Sequence, residues 1–167
     1  SRFLTDKERP MQPWQTPDIM HLSQIIVQSF DDRLGFPLSP EFPEHSPEQL
    51  AQALYEAPFV VLAHDGGQDP CFTYANQTAQ RLWEMPWDTF IGMPSRLSAE
   101  PDLREVRATM LARVQRDGYI DDYQGIRISS TGQRFELGKT IVWNLQENDT
   151  FCGQAATFSA WQMLDQQ

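Results

Sequence analysis

The sequence predicts a single α+β domain in which helices pack on a five-stranded antiparallel sheet. Its 167 residues are the length of one ordinary domain. The spacing of apolar residues changes along the chain, in the order two helices, two strands, several helices and three strands. Turn-forming residues between neighbouring strand segments indicate hairpins, and hence antiparallel pairing. We expect the domain over residues 17–161, between a flexible N-terminal arm at 1–16 and a C-terminal tail at 162–167.

Two helices are predicted at the start of the domain. Thr16 precedes a proline and an acid, as an N-cap residue does, and indicates a helix from residue 17. The stretch "SPEQ" at 46–49 is a capping box with proline at the first helical position, and Pro58 ends the helix that it begins. Residues 34–43 hold three prolines and a glycine, so we expect a linker between the helices.

The first two strands form a predicted hairpin. The apolar segments "FVVLAHD" at 59–65 and "CFTYAN" at 71–76 flank the turn "GGQDP". Asn76 then suits the N-cap of a short helix, which stops before Pro86.

A longer helix and three strands complete the predicted domain. The helix runs from about residue 100 to Gly118, a residue type that favours a helix C-terminus. Its predicted apolar stripe consists of Leu103, Val106, Met110, Leu111 and Val114. Strand segments follow at 119–129, 133–145 and 151–161, and the stretches "SSTGQ" and "QENDT" between them are turn-like.

The composition disfavours several kinds of partner and chemistry. The net charge of −10 makes a nucleic-acid partner unexpected, because phosphate binding needs clustered Lys and Arg. The sequence has no run of 18 apolar residues and no start that resembles a signal peptide, so we expect no membrane association and a cytoplasmic location. The histidines and cysteines lack metal-ligand spacing. Neither a nucleophile with its base nor a Gly-rich phosphate loop is recognisable, so we do not expect an enzyme.

Several motifs together resemble one family. The string "FTYANQTAQRLW" resembles the turn of a PAS domain in which an Asn caps the helix after the second strand. The strings "IGMPSRLSAEP", "GYIDDYQGIRISSTGQRFEL", "VWN" and "GQAATFSAW" are similar to the MEKHLA domain, which is PAS-like, and the resemblance covers roughly residues 17–161. It implies a sheet of strand order 2-1-5-4-3, with helices on one face and two extra N-terminal helices. It also implies a sensory or signalling module.

One loop resembles the flavin-binding motif of light-sensing PAS domains. That motif is Gly-x-Asn-Cys-Arg, and its cysteine bonds to excited flavin; here Ser95 follows Pro94 at the cysteine position. A serine hydroxyl cannot replace a thiolate as the nucleophile, so the resemblance implies no cysteine–flavin adduct. Flavin binding without the adduct and no cofactor at all both remain open. Arg96 is a candidate for contacting a ligand phosphate, or else it pairs with a nearby acid such as Glu100 in a simple helix entrance.

The resemblance implies a ligand pocket between the sheet and the helices at 76–117. Its candidate ligand-binding residues are Trp83, Ser95, Arg96, Phe135, Trp143 and Gln154. Core packing is the alternative role of the aromatic members. A small molecule there would regulate a partner protein or a homodimer. The alternative is a ligand-free interaction or dimerisation module, binding through an exposed sheet face or the helices at 17–57. A third hypothesis is a small isomerase or hydrolase, for which His64 and Asp65 form the adjacent His–Asp pair.

Overall fold

The computed structural model describes residues 10–165, apart from the side chain of Asp102. The α-helices of this range are α1 (Pro17–Leu34), α2 (Pro47–Tyr55), α3 (Gln77–Trp83), α4 (Trp87–Phe90) and α5 (Arg104–Asp117). Its strands are β1 (Val60–His64), β2 (Phe72–Ala75), β3 (Tyr119–Tyr123), β4 (Ile126–Ile128), β5 (Arg134–Leu137), β6 (Thr140–Glu147), β7 (Thr150–Phe158) and β8 (Trp161–Met163). Short 3₁₀ helices lie at Pro13–Gln15, Phe42–Glu44, Ser95–Ser98 and Pro101–Leu103.

The two N-terminal helices begin at their predicted capping residues. The Thr16 hydroxyl accepts a hydrogen bond from Ile19 N at 3.3 Å, and Gly35 ends α1 with φ at 80°. Both bonds of the capping box are present at α2. Gln49 N donates to Ser46 Oγ at 3.2 Å, and Ser46 N donates to Gln49 Oε1 at 2.9 Å. Local side-chain chemistry therefore sets both helix starts.

The segment before α1 differs from the predicted flexible arm. Residues 1–9 lie outside the described residues, but Pro13–Gln15 forms a 3₁₀ helix. Trp14 in this helix is 6% exposed and packs against Ala51 and Tyr55 of α2. Burial of a large indole ring holds this part of the chain against α2.

The main sheet has five strands in the order β2-β1-β7-β6-β3, and every neighbouring pair is antiparallel. The predicted order 2-1-5-4-3 differs in its numbers because the chain has more strands than predicted. The predicted third, fourth and fifth strands contribute β3, β6 and β7 to this sheet. Strand β7 lies at its centre between β1 and β6, and Val61 of β1 pairs with Thr157 of β7.

A second, three-stranded sheet in the order β4-β5-β8 is absent from the prediction. The predicted strands 119–129, 133–145 and 151–161 each divide into two, and β8 reaches into the predicted tail. At the break between β5 and β6, Gly138 N donates to Ala160 O at 2.8 Å. A Cβ on Gly138 would lie 2.7 Å from that oxygen, so the close approach of the two chains requires glycine.

Helices cover both faces of the main sheet. One face packs on α3, α4 and α5, whereas α1 and α2 pack on the other. On the face covered by α1 and α2, apolar residues of the helices pack against apolar residues of the strands. The helix residues are Ile26, Phe30, Leu50 and Leu54, and the strand residues are Val61, Tyr74, Trp143 and Leu145. The sheet face that was expected to be open for a partner is therefore covered. Strand β1 agrees with this arrangement, because all five of its residues are buried, as in a strand with both faces covered.

Helix α5 faces the core with a stripe that differs from the predicted one. Met110 and Val114 are buried as predicted, but Val106 is 61% exposed. Arg107 is 7% exposed and takes the inward position instead. Since Arg107 lies three residues before Met110 and seven before Val114, the three side chains share one face of the helix. An arginine therefore lies in the apolar stripe that packs against the sheet.

Candidate ligand-binding site

A cavity of about 50 Å³ lies between the main sheet and α5. Most of its wall is apolar. The apolar members include Leu62, Phe72, Trp83, Met110, Val142 and Phe158. Buried polar side chains in the wall include His64, Arg107, Arg127 and Gln154. A mostly apolar lining with a few polar groups is typical of a small-molecule site.

Two arginines enter the wall from different elements. Arg107 belongs to α5 and Arg127 to β4, and each is 7% exposed. Arg127 Nη2 donates to the Tyr123 hydroxyl at 2.7 Å, and its Nη1 donates to Ile126 O at 3.0 Å. Burial, and then the like charge of Arg127, lowers the pKa of Arg107 to about 10. Arg107 therefore still carries its positive charge at neutral pH.

His64 is a neutral member of the wall. Its Nδ1 donates to Asp65 O at 2.8 Å, which leaves Nε2 as an acceptor. Burial lowers the pKa of His64 to about 4, so the ring is uncharged at neutral pH. The Asp65 carboxylate instead accepts hydrogen bonds from Gly67 N at 3.1 Å and Cys71 N at 3.2 Å. The His–Asp pair of the third hypothesis is not assembled.

Of the six candidate residues, Trp83 and Gln154 line the cavity. Gln154 Nε2 donates to Leu111 O at 2.9 Å and to Asn144 Oδ1 at 3.2 Å, which holds this side chain against α5. Trp83 is 1% exposed, and its indole N–H has no acceptor among the residues that the structure describes. A buried donor without an acceptor is unfavourable, and a ligand oxygen would satisfy it.

Phe135 and Trp143 lie away from the cavity wall. Phe135 packs against Trp83 with ring centroids 5.0 Å apart. Trp143 lies on the opposite face of the sheet, where its Nε1 donates to Ile26 O of α1 at 3.2 Å. Because successive strand residues point to opposite faces, Val142 faces the cavity and Trp143 faces α1. The sheet therefore separates Trp143 from Trp83.

Ser95 and Arg96 are the first two residues of the 3₁₀ helix Ser95–Ser98. Ser95 is fully buried, and its hydroxyl has no partner within the described part of the chain. Arg96 is half-exposed and pairs with Asp69 at 3.1 Å, while Glu100 contacts Arg134. The segment that resembles a flavin motif is thus held to the β1–β2 turn by the ion pair between Arg96 and Asp69. It begins a 3₁₀ helix.

A cleft of about 510 Å³ lies beside the cavity, between the β1–β2 turn and α5. His64, Arg107, Leu111 and Gln154 line both the cleft and the cavity. These four side chains therefore form the partition between the two spaces. Arg96 also lines the cleft.

Sequence reasoning missed both cavity arginines. The spacing of Arg107 from Met110 and Val114 is a signal that could have identified it, because that spacing repeats the helical period. Arg127 lies between two isoleucines, a pattern that predicts an outward arginine, yet the arginine is buried and the isoleucines are partly exposed. No local pattern marks Arg127 as an inward residue.

The residues present do not fit a flavin. Sites for drug-sized ligands occupy roughly 300–1,000 Å³, whereas this cavity measures about 50 Å³. Ser95, at the position of the reactive cysteine in the resembling motif, does not line the cavity. The Gln154 amide is already bonded to Leu111 and Asn144. No flavin chemistry is therefore assigned to this site.

Among the side chains that the structure describes, no group of three or more His, Cys, Asp and Glu is arranged to hold a metal ion. No helix within residues 10–165 is long and apolar enough to cross a membrane.

The fold is that of PAS domains. A PAS domain from Colwellia psychrerythraea superposes with a TM-score of 0.58 at 16% identity, over 66% of this chain and 92% of that one. The PAS domain of a LuxR-family transcriptional regulator from Burkholderia thailandensis, solved in complex with ethanol, gives 0.51 at 13% identity, over 68% and 95%. A LOV protein from Rhodobacter sphaeroides gives 0.53 at 9% identity, over 68% and 62%. At such identities the likeness shows the fold alone.

The sequence shows the family to which the chain belongs. The model of the MEKHLA domain matches residues 20–163, which is most of the chain. The chain therefore belongs to the MEKHLA domain family. No curated protein matches the sequence.

Proposed function

We propose that this chain is a non-catalytic PAS-like sensory module, which binds a small molecule between the sheet and α5 and thereby regulates a partner. The observation that carries the proposal is the cavity, whose mostly apolar wall includes the buried polar groups of Trp83, Arg107 and Arg127. Buried polar groups that lack protein partners weaken a fold, and functional sites are where such groups are retained. The PAS fold and the family membership support the same function.

The size of the cavity supports a ligand of only a few atoms. One water molecule needs about 10–15 Å³, so a cavity of about 50 Å³ has room for a few water-sized groups. The Burkholderia thailandensis PAS domain was solved with ethanol, a molecule in this range of size. A small metabolite is therefore proposed in place of a flavin or a haem.

Strand β6 is the proposed route from the cavity to the partner. Val142 lines the cavity, and the next residue, Trp143, contacts α1 through its bond to Ile26 O. A ligand that shifts β6 would alter this contact. A ligand favours one conformation over another only if it binds the two with different affinity. The route therefore requires the ligand to contact β6 differently in the two conformations.

The helical layer of α1 and α2 is the proposed contact surface for a partner protein or a second copy of the chain. This layer lies on the sheet face away from the cavity. A groove of about 550 Å³ runs there beside Ile25, Gln28 and Phe42. A cytoplasmic location is part of the proposal and rests on the sequence alone.

The test uses protein purified from its own host. Native mass spectrometry should detect a bound small molecule that denaturation releases. Ala156 lines the cavity, so Ala156→Leu should fill the space and abolish retention of the molecule. Thr109→Leu is the matched control and should retain the molecule, because Thr109 is exposed on α5 and lines neither the cavity nor the cleft. The proposal would be refuted if the parent protein, the Ala156→Leu variant and the control variant all carry no small molecule.

A ligand-free interaction module is the second candidate. The aromatic cluster favours it, because Trp83 packs edge-to-face against Phe90 and Phe135 and fills much of the interior. On this alternative the cavity holds only water, and the α1–α2 layer mediates dimerisation. A dimer by light scattering, together with an empty mass spectrum, would favour it over the sensory module.

A further inference from the structure

The cavity wall carries two positive charges without a negative charge to balance them. Arg107 and Arg127 are both more than nine-tenths buried. Among the described side chains, which exclude that of Asp102, no Asp or Glu lines the cavity, and no ion pair includes either arginine. Buried charges in proteins are normally paired or bound to an ion. The described side chains thus supply no negative charge to the cavity wall itself.

Arg107 also lacks hydrogen-bond acceptors. In the described part of the chain no oxygen accepts a hydrogen bond from its guanidinium, whereas Arg127 donates to two oxygens. Neighbouring polar groups do not supply negative charge, since His64 is neutral and Gln154 directs its amide nitrogen to Leu111 O. The donors of the Arg107 guanidinium are therefore available at the wall between the cavity and the cleft.

The lining favours an anion with an apolar part. Leu62, Phe72 and Val142 offer only apolar surface, which suits a short alkyl group better than a bare inorganic anion. Trp83 belongs to the same wall, and its indole N–H, which has no acceptor among the described residues, is a neutral donor. A short-chain carboxylate combines the two requirements, because it joins an anionic head to a small apolar tail.

We propose that the cavity binds a small monocarboxylate, whose carboxylate is held by Arg107 and Arg127 and whose alkyl part lies against the apolar wall. The inference rests on the proposed ligand-binding function and names the class of its ligand. Guanidinium groups bind carboxylates through paired, charge-assisted hydrogen bonds. The ligand enters from the cleft, because Arg107 lines both the cleft and the cavity.

The Trp83 indole N–H is the reporter for the test. Sodium propionate is titrated into ¹⁵N-labelled protein in a buffer of low anion concentration, and Trp83→Phe assigns the resonance. We expect a saturable downfield shift at Trp83. The indole of Trp143 already donates to Ile26 O on the opposite face, so its resonance should move much less and serves as the internal control.

Two arginine variants on one helix measure the contribution of the charge. Arg107→Met should weaken propionate binding roughly tenfold or more, because charge-assisted hydrogen bonds are lost. Arg113→Met should leave the affinity unchanged, because Arg113 is half-exposed and pairs with Asp122. Equal affinities in the two variants would overturn the proposal.

Neutral and inorganic probes distinguish the failures. Propionamide has nearly the same shape as propionate without its charge, and sodium chloride controls for ionic strength. If propionamide binds as tightly as propionate, or if inorganic phosphate binds and propionate does not, the carboxylate assignment is wrong and the ligand-binding function stands. If none of these probes binds, the carboxylate assignment also fails. In that case, the ligand-binding function is also refuted if protein purified from its own host carries no small molecule. It stands if such a molecule is found.

Discussion

The side chain of Arg107 affects both the stability of the fold and its proposed function. Its burial disfavours the charged form, and burial is the first cause of its lowered pKa. Without a bound anion, the folded protein keeps this charge in a largely apolar wall. Such locally unfavourable groups are typical of functional positions, where stability and activity compete.

Replacing Arg107 by Met is expected to stabilise the ligand-free protein by about 1 kcal/mol or more, because a flexible apolar side chain replaces an unpaired buried charge. Urea unfolding in a buffer of low anion concentration measures the change. The exposed Arg113→Met control should stay within about 0.5 kcal/mol of the parent. A variant at 107 that is less stable than the control would contradict the account.

His64 gives a prediction for the pH dependence of stability. Its pKa of about 4 in the folded state lies below the ordinary value of 6.5. Between these values the unfolded chain binds a proton and the folded chain does not, so stability falls as the pH falls from 6.5 towards 4. Above 6.5 the ring is neutral in both states and the effect is absent.

Comparison with His64→Gln isolates this effect, because all other titrating groups are shared. The free energy of unfolding of the parent should fall by about 3 kcal/mol relative to the variant between about pH 7 and pH 4. Urea unfolding at several pH values measures it. A constant difference across that range would show that folding does not shift the pKa of His64, which would contradict the prediction.

At the scale of elements, Asn76 joins α2, β1 and α3. Its Nδ2 donates to Leu54 O at 3.1 Å and to Phe59 O at 2.8 Å. Its Oδ1 accepts from Val61 N and Ala79 N, both at 3.1 Å. The bond to Ala79 is the N-cap that the sequence predicts. The other three depend on how distant segments meet, so no local pattern could reveal them.

Asn76→Ala should therefore cost much more than the loss of an ordinary cap. We expect about 3 kcal/mol or more, because four backbone groups each lose a hydrogen bond, three of them in buried contacts. Ser46→Ala at the exposed cap of α2 is the matched control, with an expected cost of about 1 kcal/mol. Similar losses of unfolding free energy in the two variants would mean that Asn76 acts only as a cap.

The existence of most elements could be predicted, whereas their bends and rotations could not. Caps and apolar periods are local, so α1, α2 and the β1–β2 hairpin follow from neighbouring residues. The division of the last three strands depends on the second sheet, in which β5 pairs with β4 and β8. The inward face of α5 likewise depends on what α5 packs against. In the folded protein Arg107 is buried on that face, and Val106, which was predicted there, is exposed.

At the scale of the whole molecule, one sheet lies between two helical layers. Trp83 and Gln154 were predictable as cavity residues from the resemblance to a family with a pocket on that side. Arg107 and Arg127 were not, because the wall that they share forms only when the fold brings α5 and β4 to the same cavity. The same packing places Trp143 on the far face, beneath α1.

Propionate binding should slow amide hydrogen exchange in α1 as well as in α5, because β6 contacts both the cavity and α1. Trp143→Phe removes the bond to Ile26 O and should abolish the effect in α1 while leaving that in α5. Trp87→Phe, which alters a ring packed on Tyr55 and Tyr74, is the control and should retain both effects. Protection confined to α5 in the parent would refute the route through β6.

The most direct test of the ligand-binding account is a crystal structure of protein purified from its own host. The account predicts electron density in the cavity for a small ligand, with a polar atom within hydrogen-bond distance of the Arg107 guanidinium. A cavity that holds only water, with Arg107 paired to an acidic side chain of the protein, would contradict it.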